Sequence, residues 1–303
     1  MGVLSNMFKN PAKIVFLLDR LGVSKLIPDK PYIKMKFQAS MGTKLDLKNP
    51  KTFGEKLQWL KLYYRRPDYP RLVDKYEAKI AVAEIIGEEH IIPTLGVWDN
   101  VEDIDFDALP NQFVLKCTHD CGGLVICKDK AKLDIEAAKT KLRKSLKTNY
   151  YYVGREDPYK HIKPRVIAEK YMLDEKTSDL RDYKFYCFDG KAKALFVAAD
   201  RHIEGKDCTF DFYDINWEHL DMHQRQQNAI NGIEKPETFD KMVAIAEKLS
   251  QGMPHVRVDL YEVNGQNYFG EMTFFAGGGM VPLEPRKWET VFGEWITLPE
   301  RIT

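Results

Sequence analysis

HVRVDLYEVNGQNYFGEMTFFAGGGMV, residues 255–281, is the stretch that indicates the fold of this chain. Val256, Val258 and Leu260 alternate with more polar residues, which is the pattern of a β-strand with one buried face. Asn264-Gly265 is typical of a two-residue hairpin turn, and the apolar-rich residues 268–272 predict the returning strand. The stretch therefore predicts a β-hairpin.

Two acidic residues lie in the strands of this hairpin, Asp259 in the first and Glu271 in the second. A buried carboxylate is costly unless another group compensates its charge. Mg²⁺ suits such a pair, because it takes one or two carboxylates and fills its other positions with water and phosphate oxygens. Arg257 precedes Asp259 by two residues and so points to the same face, where a cation can stabilise an anion in transfer. The alternative is a surface hairpin whose acids are hydrated.

Composition narrows the class of protein. The chain has 303 residues and a net charge of +1, which gives no general reason to expect nucleic acid as a partner. Its five cysteines and the lack of a convincing signal peptide favour a reducing, cytoplasmic setting. Residues 1–50 hold nine Lys or Arg against three Asp, so this basic head can touch an anionic membrane at the inner face. Alternatively it packs on the domain with its lysines hydrated.

Residues 111–128, NQFVLKCTHDCGGLVICK, form the second informative stretch. Two apolar segments, 113–116 and 124–127, predict strands joined by a small loop that contains Gly122 and Gly123. Such a loop can lay backbone N–H groups over phosphates, and Lys116 at its base supplies a positive charge. The Walker and G-x-G-x-x-G patterns are absent, so a purely structural glycine hairpin stays open as an alternative.

Further candidates lie between these two stretches. Residues 166–172, VIAEKYM, read as a strand that runs into a hinge, with Glu169 near its end. Residues 181–191 and 192–200 predict an antiparallel pair of strands. Lys184 in the first of these strands and Arg201 just beyond the second are candidate phosphate or substrate cations, and ordinary surface charges are the alternative interpretation.

The order of these motifs resembles the ATP-grasp ligases, and more closely their TupA-like branch, which is known from capsule and teichuronopeptide biosynthesis. The resemblance spans about residues 48–282 and rests on the segments FGEKLQWLK, LVDKYEAK, FVLKCTHDCGG, DYKFYCFDGK and RVDLYEVNGQNYFGEMTFFAGGG. It implies an α+β fold in which two lobes with antiparallel sheets grip ATP, preceded by a short helical N-terminal region. The expected boundaries are 1–72 for that region, 73–170 for the lobe with the glycine loop and 171–303 for the lobe with the metal site.

The resemblance also implies a role for individual residues. Lys75 and Lys116 match the lysines that hold the phosphates, and Glu169 matches the hinge acid that accepts the adenine amino group. Thr273 stands where many members carry Asn, which is a departure from the family pattern. The implied catalytic residues are Arg257, Lys116 and Lys184; the implied nucleotide-binding residues are Lys75, Lys116, Gly122, Gly123, Glu169, Lys170, Tyr171, Met172, Lys184 and Arg201; the implied magnesium ligands are Asp259, Glu271 and Thr273.

The activity implied is an ATP- and Mg²⁺-dependent ligase that joins a carboxylate to an amine through an acyl-phosphate. The substrates expected from the TupA-like setting are an amino acid as the amine and a uronic acid or another amino acid as the acid, and the product is an amide on a cell-surface glycan or its lipid-linked precursor. A metal-dependent glycosyltransferase is an alternative, because Asp103, Asp105 and Asp107 form D-x-D patterns. A kinase acting on a sugar or protein hydroxyl is another.

Overall fold

The computed structural model describes residues 11–200, 207–229 and 232–302. It contains two antiparallel sheets with helices packed around them, in agreement with the predicted α+β class. The helices are α1 Ile14–Arg20, α2 Asp29–Met41, α3 Phe53–Tyr63, α4 Tyr69–Val73, α5 Glu77–Ile86, α6 Ile135–Leu146, α7 Tyr151–Gly154, α8 Phe239–Leu249 and α9 Lys287–Glu294. The strands are β1 Thr94–Trp98, β2 Phe113–Cys117, β3 Leu124–Cys127, β4 Val166–Lys170, β5 Asp182–Phe188, β6 Lys191–Ala199, β7 Thr209–Asp214, β8 His255–Val263 and β9 Gln266–Thr273.

The first sheet has four strands in the order β1-β4-β2-β3. The glycine loop joins β2 to β3, as the sequence predicts, and β4 lies beside β2, with Glu169 opposite Val114. Phe113, Leu115 and Val166 are fully buried in the core under this sheet. The loop and the start of the hinge therefore belong to the same sheet.

The second sheet has five strands in the order β7-β6-β5-β8-β9. The predicted hairpin is confirmed as β8 and β9. Asn264 and Gly265 both have positive φ, 52° and 77°, as the tight turn between such strands requires. Val256, Val258 and Leu260 are fully buried, so the alternating pattern identified the core face correctly.

Helices α1 to α3 form the N-terminal helical region. Helix α2 was not predicted from the sequence, because prolines such as Pro28 and Pro31 usually interrupt a helix. Helix α2 begins at Asp29, and Pro31 lies in its first turn, where a backbone N–H has no partner within the helix and its loss costs little. Tyr32 and Phe37 on this helix are buried in the core of the second sheet.

None of the helices in the described ranges has both the length and the hydrophobicity needed to cross a bilayer.

Candidate active site

The centre of the site is a set of charged side chains on β8 and β9. Asp259 and Glu271 stand directly opposite each other in the register of the two strands. Arg257 holds Asp259 at two points: Nε donates to Oδ1 at 2.6 Å and Nη2 donates to Oδ2 at 2.7 Å. The same Nη2 donates to Glu271 Oε1 and to Thr273 Oγ1, both at 3.1 Å. One guanidinium therefore joins the three predicted metal ligands.

Lys184 enters the same cluster from β5. It stands opposite Asp259 in the register of β5 and β8, and its Nζ forms an ion pair with the Asp259 carboxylate. Its Nζ also lies 2.6 Å from Asp182 Oδ2. The sequence analysis did not select Asp182 as a site residue, although it precedes Lys184 by two residues and so faces the same side of the strand.

The sequence predicts that a divalent cation compensates the two acids, and the structure shows that side chains also compensate them. The chain itself supplies the compensating charges, since Arg257 contacts both carboxylates and Lys184 contacts Asp259. Burial alone would raise the pKa of Glu271, but the positive charges of Lys184, Arg257 and Lys75 lower it to about 2. Glu271 is therefore ionised, and 38% of its side chain remains exposed, so it is the more accessible ligand for a cation.

The glycine loop is held by Asp120, a residue that the sequence analysis did not select. Asp120 is buried, its Oδ1 accepts a hydrogen bond from the Gly123 N–H at 3.1 Å, and its Oδ2 accepts one from Ser145. Gly123 packs closely against its surroundings, whereas Gly122 is exposed. The loop thus presents Gly122 on a well-anchored base.

Lys75 connects this loop to the charged hairpin. Its backbone N–H donates to Thr118 O at 3.0 Å, and its Nζ donates to Asp120 O. The charge of Lys75 is also near enough to Glu271 to lower the pKa of that carboxyl. The loop from the first sheet and the acids of the second therefore face each other.

Glu169 has partners that the sequence did not predict. Its Oε1 accepts a hydrogen bond from Lys79 Nζ at 2.6 Å, and its Oε2 lies 2.6 Å from Lys116 Nζ. Burial alone would raise the pKa of Glu169, but Lys116 and Lys79 lower it to about 2. Glu169 thus orients Lys116, and its predicted contact with adenine would have to share oxygens already bonded to these lysines. Lys79 lies on α5, four residues after Lys75, and no local pattern links it to Glu169, which is 90 positions away.

A cavity of about 320 Å³ lies beside the hinge. Apolar side chains of Ile92, Met172 and Leu180 line it, together with charged groups that include Lys116 and Glu169. The Lys170 N–H donates to Pro93 O at 3.0 Å, whereas the amides of Tyr171 and Met172 have no hydrogen-bond partner within the described ranges. An apolar slot with unpaired backbone donors at its edge suits a planar heterocycle.

The predicted site residues thus fall into three neighbouring groups. Lys116, Glu169, Lys170, Tyr171 and Met172 line the hinge cavity. Arg257, Glu271 and Thr273 line a second cavity, and Asp259 and Lys184 lie buried beside them. Lys75, Gly122 and Gly123 lie at the loop that faces this hairpin. Arg201 lies outside the described residues.

The donor chemistry fits a magnesium nucleotide. The hinge cavity offers an apolar slot and lysines, and the hairpin offers two carboxylates and a hydroxyl on adjacent strands, which is a magnesium-type oxygen set. Asp259 is fully buried and ion-paired at both oxygens, so it would have to share an oxygen with a metal. Glu271 accepts hydrogen bonds at Oε1 from Arg257 and Thr273, and among the described residues no hydrogen bond to its Oε2 is found.

The sequence profile of one family, described as TupA-like ATPgrasp, matches residues 55–297. The chain belongs to the TupA-like ATP-grasp family. The match includes every predicted site residue, from Lys75 to Thr273. No curated protein sequence matches this TupA-like chain.

Solved structures similar to the TupA-like chain include several ligases. A D-alanine–D-alanine ligase from Bacillus anthracis complexed with ATP has 18% identity and a TM-score of 0.38, covering 67% of this chain and 54% of that one. The Helicobacter pylori D-alanine–D-alanine ligase has 13% identity and a TM-score of 0.42, covering 82% and 70%. The ATP-grasp ligase PsnB, complexed with a minimal precursor, Mg and ADP, has 13% identity and a TM-score of 0.38, covering 73% and 57%. The chain spans between half and three fifths of the length of the first structures it matches.

The loop geometry predicts different effects for substitutions of its two glycines. A Cβ at Gly123 would lie 2.6 Å from Ser145 Oγ and against Cys117 Sγ, whereas a Cβ at Gly122 would lie 3.5 Å from its nearest neighbour, Asp120 Oδ2. We expect Gly123→Ala to lower the free energy of unfolding by about 1–3 kcal/mol because of overpacking. Gly122→Ala, the matched control, should unfold like the wild type in urea. Equal destabilisation by both substitutions would contradict this description of the loop.

The buried ion pair of Lys79 and Glu169 should stabilise the fold more than an exposed ion pair does. Both side chains are less than a tenth exposed. We expect Lys79→Met to lower the free energy of unfolding by about 3 kcal/mol. This value is at the lower end of the range for removing one partner of a buried ion pair, because Lys116 still compensates Glu169. Arg71→Met, which breaks the exposed pair with Glu84, should cost less than about 1 kcal/mol. Urea unfolding at neutral pH measures both.

The difference in the free energy of unfolding between the wild type and Lys79→Met should depend on pH, because the pKa of Glu169 is lowered. Its ionised form contributes stability above pH 4.5, and this contribution is lost as the pH falls towards 2 and the carboxylate takes up a proton. The difference between wild type and Lys79→Met should therefore shrink over this window. A difference that stays constant would mean that the pair is not ionic.

Proposed function

We propose that this TupA-like protein is an ATP-dependent carboxylate–amine ligase that forms an amide and releases ADP and phosphate. The observation that carries the proposal is the single guanidinium of Arg257, which holds Asp259, Glu271 and Thr273 together opposite the lysine-bearing glycine loop. Such an arrangement concentrates charge of both signs where a phosphoryl group would be transferred. The family assignment supports the same class of reaction.

In the first step, a carboxylate oxygen of the acid substrate attacks the γ-phosphorus of ATP. The bond between that phosphorus and the β,γ-bridging oxygen breaks, and ADP leaves with the electron pair. Lys75 and Lys116, fixed by Asp120 and Glu169, supply positive charge for the phosphates. A bound Mg²⁺, held by Glu271 and Asp259 with Thr273 beside them, would offset further charge on the phosphate oxygens.

In the second step, an amine attacks the acyl carbon and phosphate departs. The carbonyl oxygen carries negative charge at this stage, and Arg257 is the cation placed to stabilise it. Its position is well defined, because three hydrogen-bond partners on two strands hold the guanidinium. No side-chain nucleophile is required.

We further propose that the acid is a uronic acid or an amino acid and that the product belongs to a capsular or other cell-surface glycan, made in the cytoplasm. The support is the TupA-like family and the polar lining of the second cavity, where Glu271 and Arg257 lie.

The D-x-D segment favours this proposal over a glycosyltransferase. Asp105 Oδ1 accepts hydrogen bonds from the Asp107 N–H at 3.0 Å and the Ala108 N–H at 3.2 Å. These are the bonds of a local turn, which explains the acidic pattern without a metal.

The test is a screen of uronic and amino acids for ADP release from MgATP, with hydroxylamine as a small, uncharged amine that traps the acyl group. The expected result is a hydroxamate that forms with one class of acid. Glu271→Gln and Arg257→Gln should lower the rate by about 10²–10³-fold, because each removes charge that stabilises the transition state. The control Glu84→Gln, an exposed acid on α5, should match the wild type.

ADP release without a hydroxamate or free phosphate, accompanied by a phosphorylated product, would show a kinase instead. ATP turnover that survives Glu271→Gln and Arg257→Gln at the wild-type rate would contradict the assignment of the site.

A further inference from the structure

The second cavity, of about 380 Å³, extends from the charged hairpin to the N-terminal helical region. Arg257 and Glu271 line one end, and the segment around α7 lines the other with Tyr150, Glu156 and Tyr159. The cavity therefore includes Arg257, the cation that the proposed second step uses.

Glu156 is a buried acid in the wall of this cavity. No hydrogen bond to its carboxylate is found among the residues that the structure describes. Burial raises the pKa of Glu156, while the charges of Lys61 and Lys36 act against this shift. An ionisable group kept in such a place without a hydrogen bond is costly, so its cavity-facing position calls for a ligand that can pair with it.

Within the described residues, neither nearby lysine lies within ion-pair distance of the Glu156 carboxylate, although both charges act on it. Lys61 Nζ donates to the backbone oxygens of Gly278 at 2.6 Å and Gly154 at 3.0 Å. Lys36 Nζ uses its donors on Asp19 at 2.9 Å, Tyr32 Oη at 2.7 Å and Val153 O at 2.7 Å. Both ammonium groups thus bind fixed parts of the protein, and the Glu156 carboxylate remains available to a cation that enters the cavity.

Arg225 supplies the opposite charge in the same wall. No ion pair or hydrogen bond of its guanidinium is found within the described part of the chain. The cavity therefore presents a carboxylate and a guanidinium to whatever enters it. A ligand that carries both an ammonium and an anionic group complements this arrangement.

We propose that this cavity is the amine site and that the amine substrate is a zwitterion, an amino acid or a residue like it. Its ammonium binds Glu156 and its anionic group binds Arg225; this assignment rests on the proposed function. Glu156 takes one proton from the ammonium, and the amine nitrogen forms a bond to the acyl carbon. The bond from that carbon to the phosphate oxygen breaks, and phosphate leaves with the electron pair and the second proton.

The experiment measures equilibrium binding of a panel of L-amino acids and D-alanine by ligand-observed NMR, with MgADP present. Each amino acid that binds is compared with its deaminated acid and with its carboxamide. For the wild type, we expect both analogues to bind about tenfold to a hundredfold more weakly, the loss of one charge-assisted hydrogen bond.

Two variants test separately which side chain binds the ammonium of the amino acid and which binds its anionic group. Glu156→Gln should abolish the preference over the deaminated acid, and Arg225→Gln should abolish the preference over the carboxamide. Glu218→Gln, an exposed acid elsewhere, is the control and should keep both preferences. Since the two variants lie on different segments, either result alone tests the assignment if the other variant does not fold.

Unchanged preferences in both variants, or no binding by any amino acid, would overturn the proposal. The hydroxylamine assay measures formation of the activated acyl group by the wild type, and it needs no zwitterionic amine. A positive hydroxylamine assay with a failed amino-acid panel would therefore reject the amine site alone and leave the proposed ligase in place.

A second, independent inference concerns the outer face of α1 and the turn that follows it. Phe16, Leu17 and Leu21 are 45%, 44% and 64% exposed, and Leu26 is 86% exposed. Val15 on the inner face is fully buried. A helix on the surface of a soluble domain normally has a polar outer face, so this apolar face indicates a partner.

The charges around this apolar face are positive. Lys13, Arg20 and Lys25 lie on or beside it, whereas the acids of the region are engaged within the protein. Asp19 pairs with Lys36 at 2.9 Å, and Asp29 pairs with Arg65 at 3.0 Å. The surface therefore combines exposed apolar side chains with a basic rim, which is the chemistry that complements an anionic lipid surface.

We infer that the α1 face binds the surface of an anionic membrane. Lys36 and Val153, in the wall of the amine cavity, are hydrogen-bonded to each other, and Lys36 also contacts Asp19 on α1. The cavity and the α1 face are therefore adjacent, which suits an acceptor presented at a membrane.

The test is co-sedimentation of the full chain with vesicles of phosphatidylcholine alone or mixed with phosphatidylglycerol. We expect binding to the mixed vesicles that weakens with salt, and its loss in Phe16→Glu/Leu21→Glu. Ile85→Glu, at a site 40% exposed on α5, is the matched control and should bind like the wild type.

Equal binding by the paired variant and the control, or no binding by the wild type, would overturn this inference. Light scattering adds a further outcome: a dimer that the paired substitution dissociates would assign the face to a second copy of the chain instead.

Discussion

The two-point contact between Arg257 and Asp259 is the interaction on which the rest of the site depends. Asp259 is fully buried in the middle of a sheet, and a single unpaired charge there would destabilise the fold strongly. Arg257 and Lys184 compensate it from the same strand and from the neighbouring one. Because this network spans β5, β8 and β9, the site is complete only when these three strands are paired.

The same arrangement explains the different roles of the two acids. Asp259 is enclosed by cations, whereas Glu271 keeps exposed surface and a strongly lowered pKa. One acid therefore fixes the geometry of Arg257, and the other faces the space where phosphate and metal would lie. At the hinge, too, an acid has a positioning role: Glu169 holds Lys116 beside the apolar slot.

Local patterns predicted the hairpin and the glycine loop, because period-two alternation and turn residues depend on neighbours in sequence. They also placed Arg257, Asp259 and Glu271 in the strands of this hairpin, where the structure has them. The ion pair between Lys79 and Glu169 could not be predicted in this way, since 90 positions separate the partners. The amine cavity could not be predicted from local patterns either, because Glu156, Arg225 and Arg257 come from distant segments that only the tertiary fold brings together. Helix α2 was missed for a local reason, the position of Pro31 in its first turn.

The central claim is that a magnesium nucleotide lies between the glycine loop and the charged hairpin. The most direct measurement is a crystal structure of the protein with Mg²⁺ and a non-hydrolysable ATP analogue. The account predicts the adenine against Met172 in the hinge slot, with the terminal phosphate between Lys75 and Glu271. A nucleotide bound elsewhere, or one whose phosphates point away from Glu271, would contradict it.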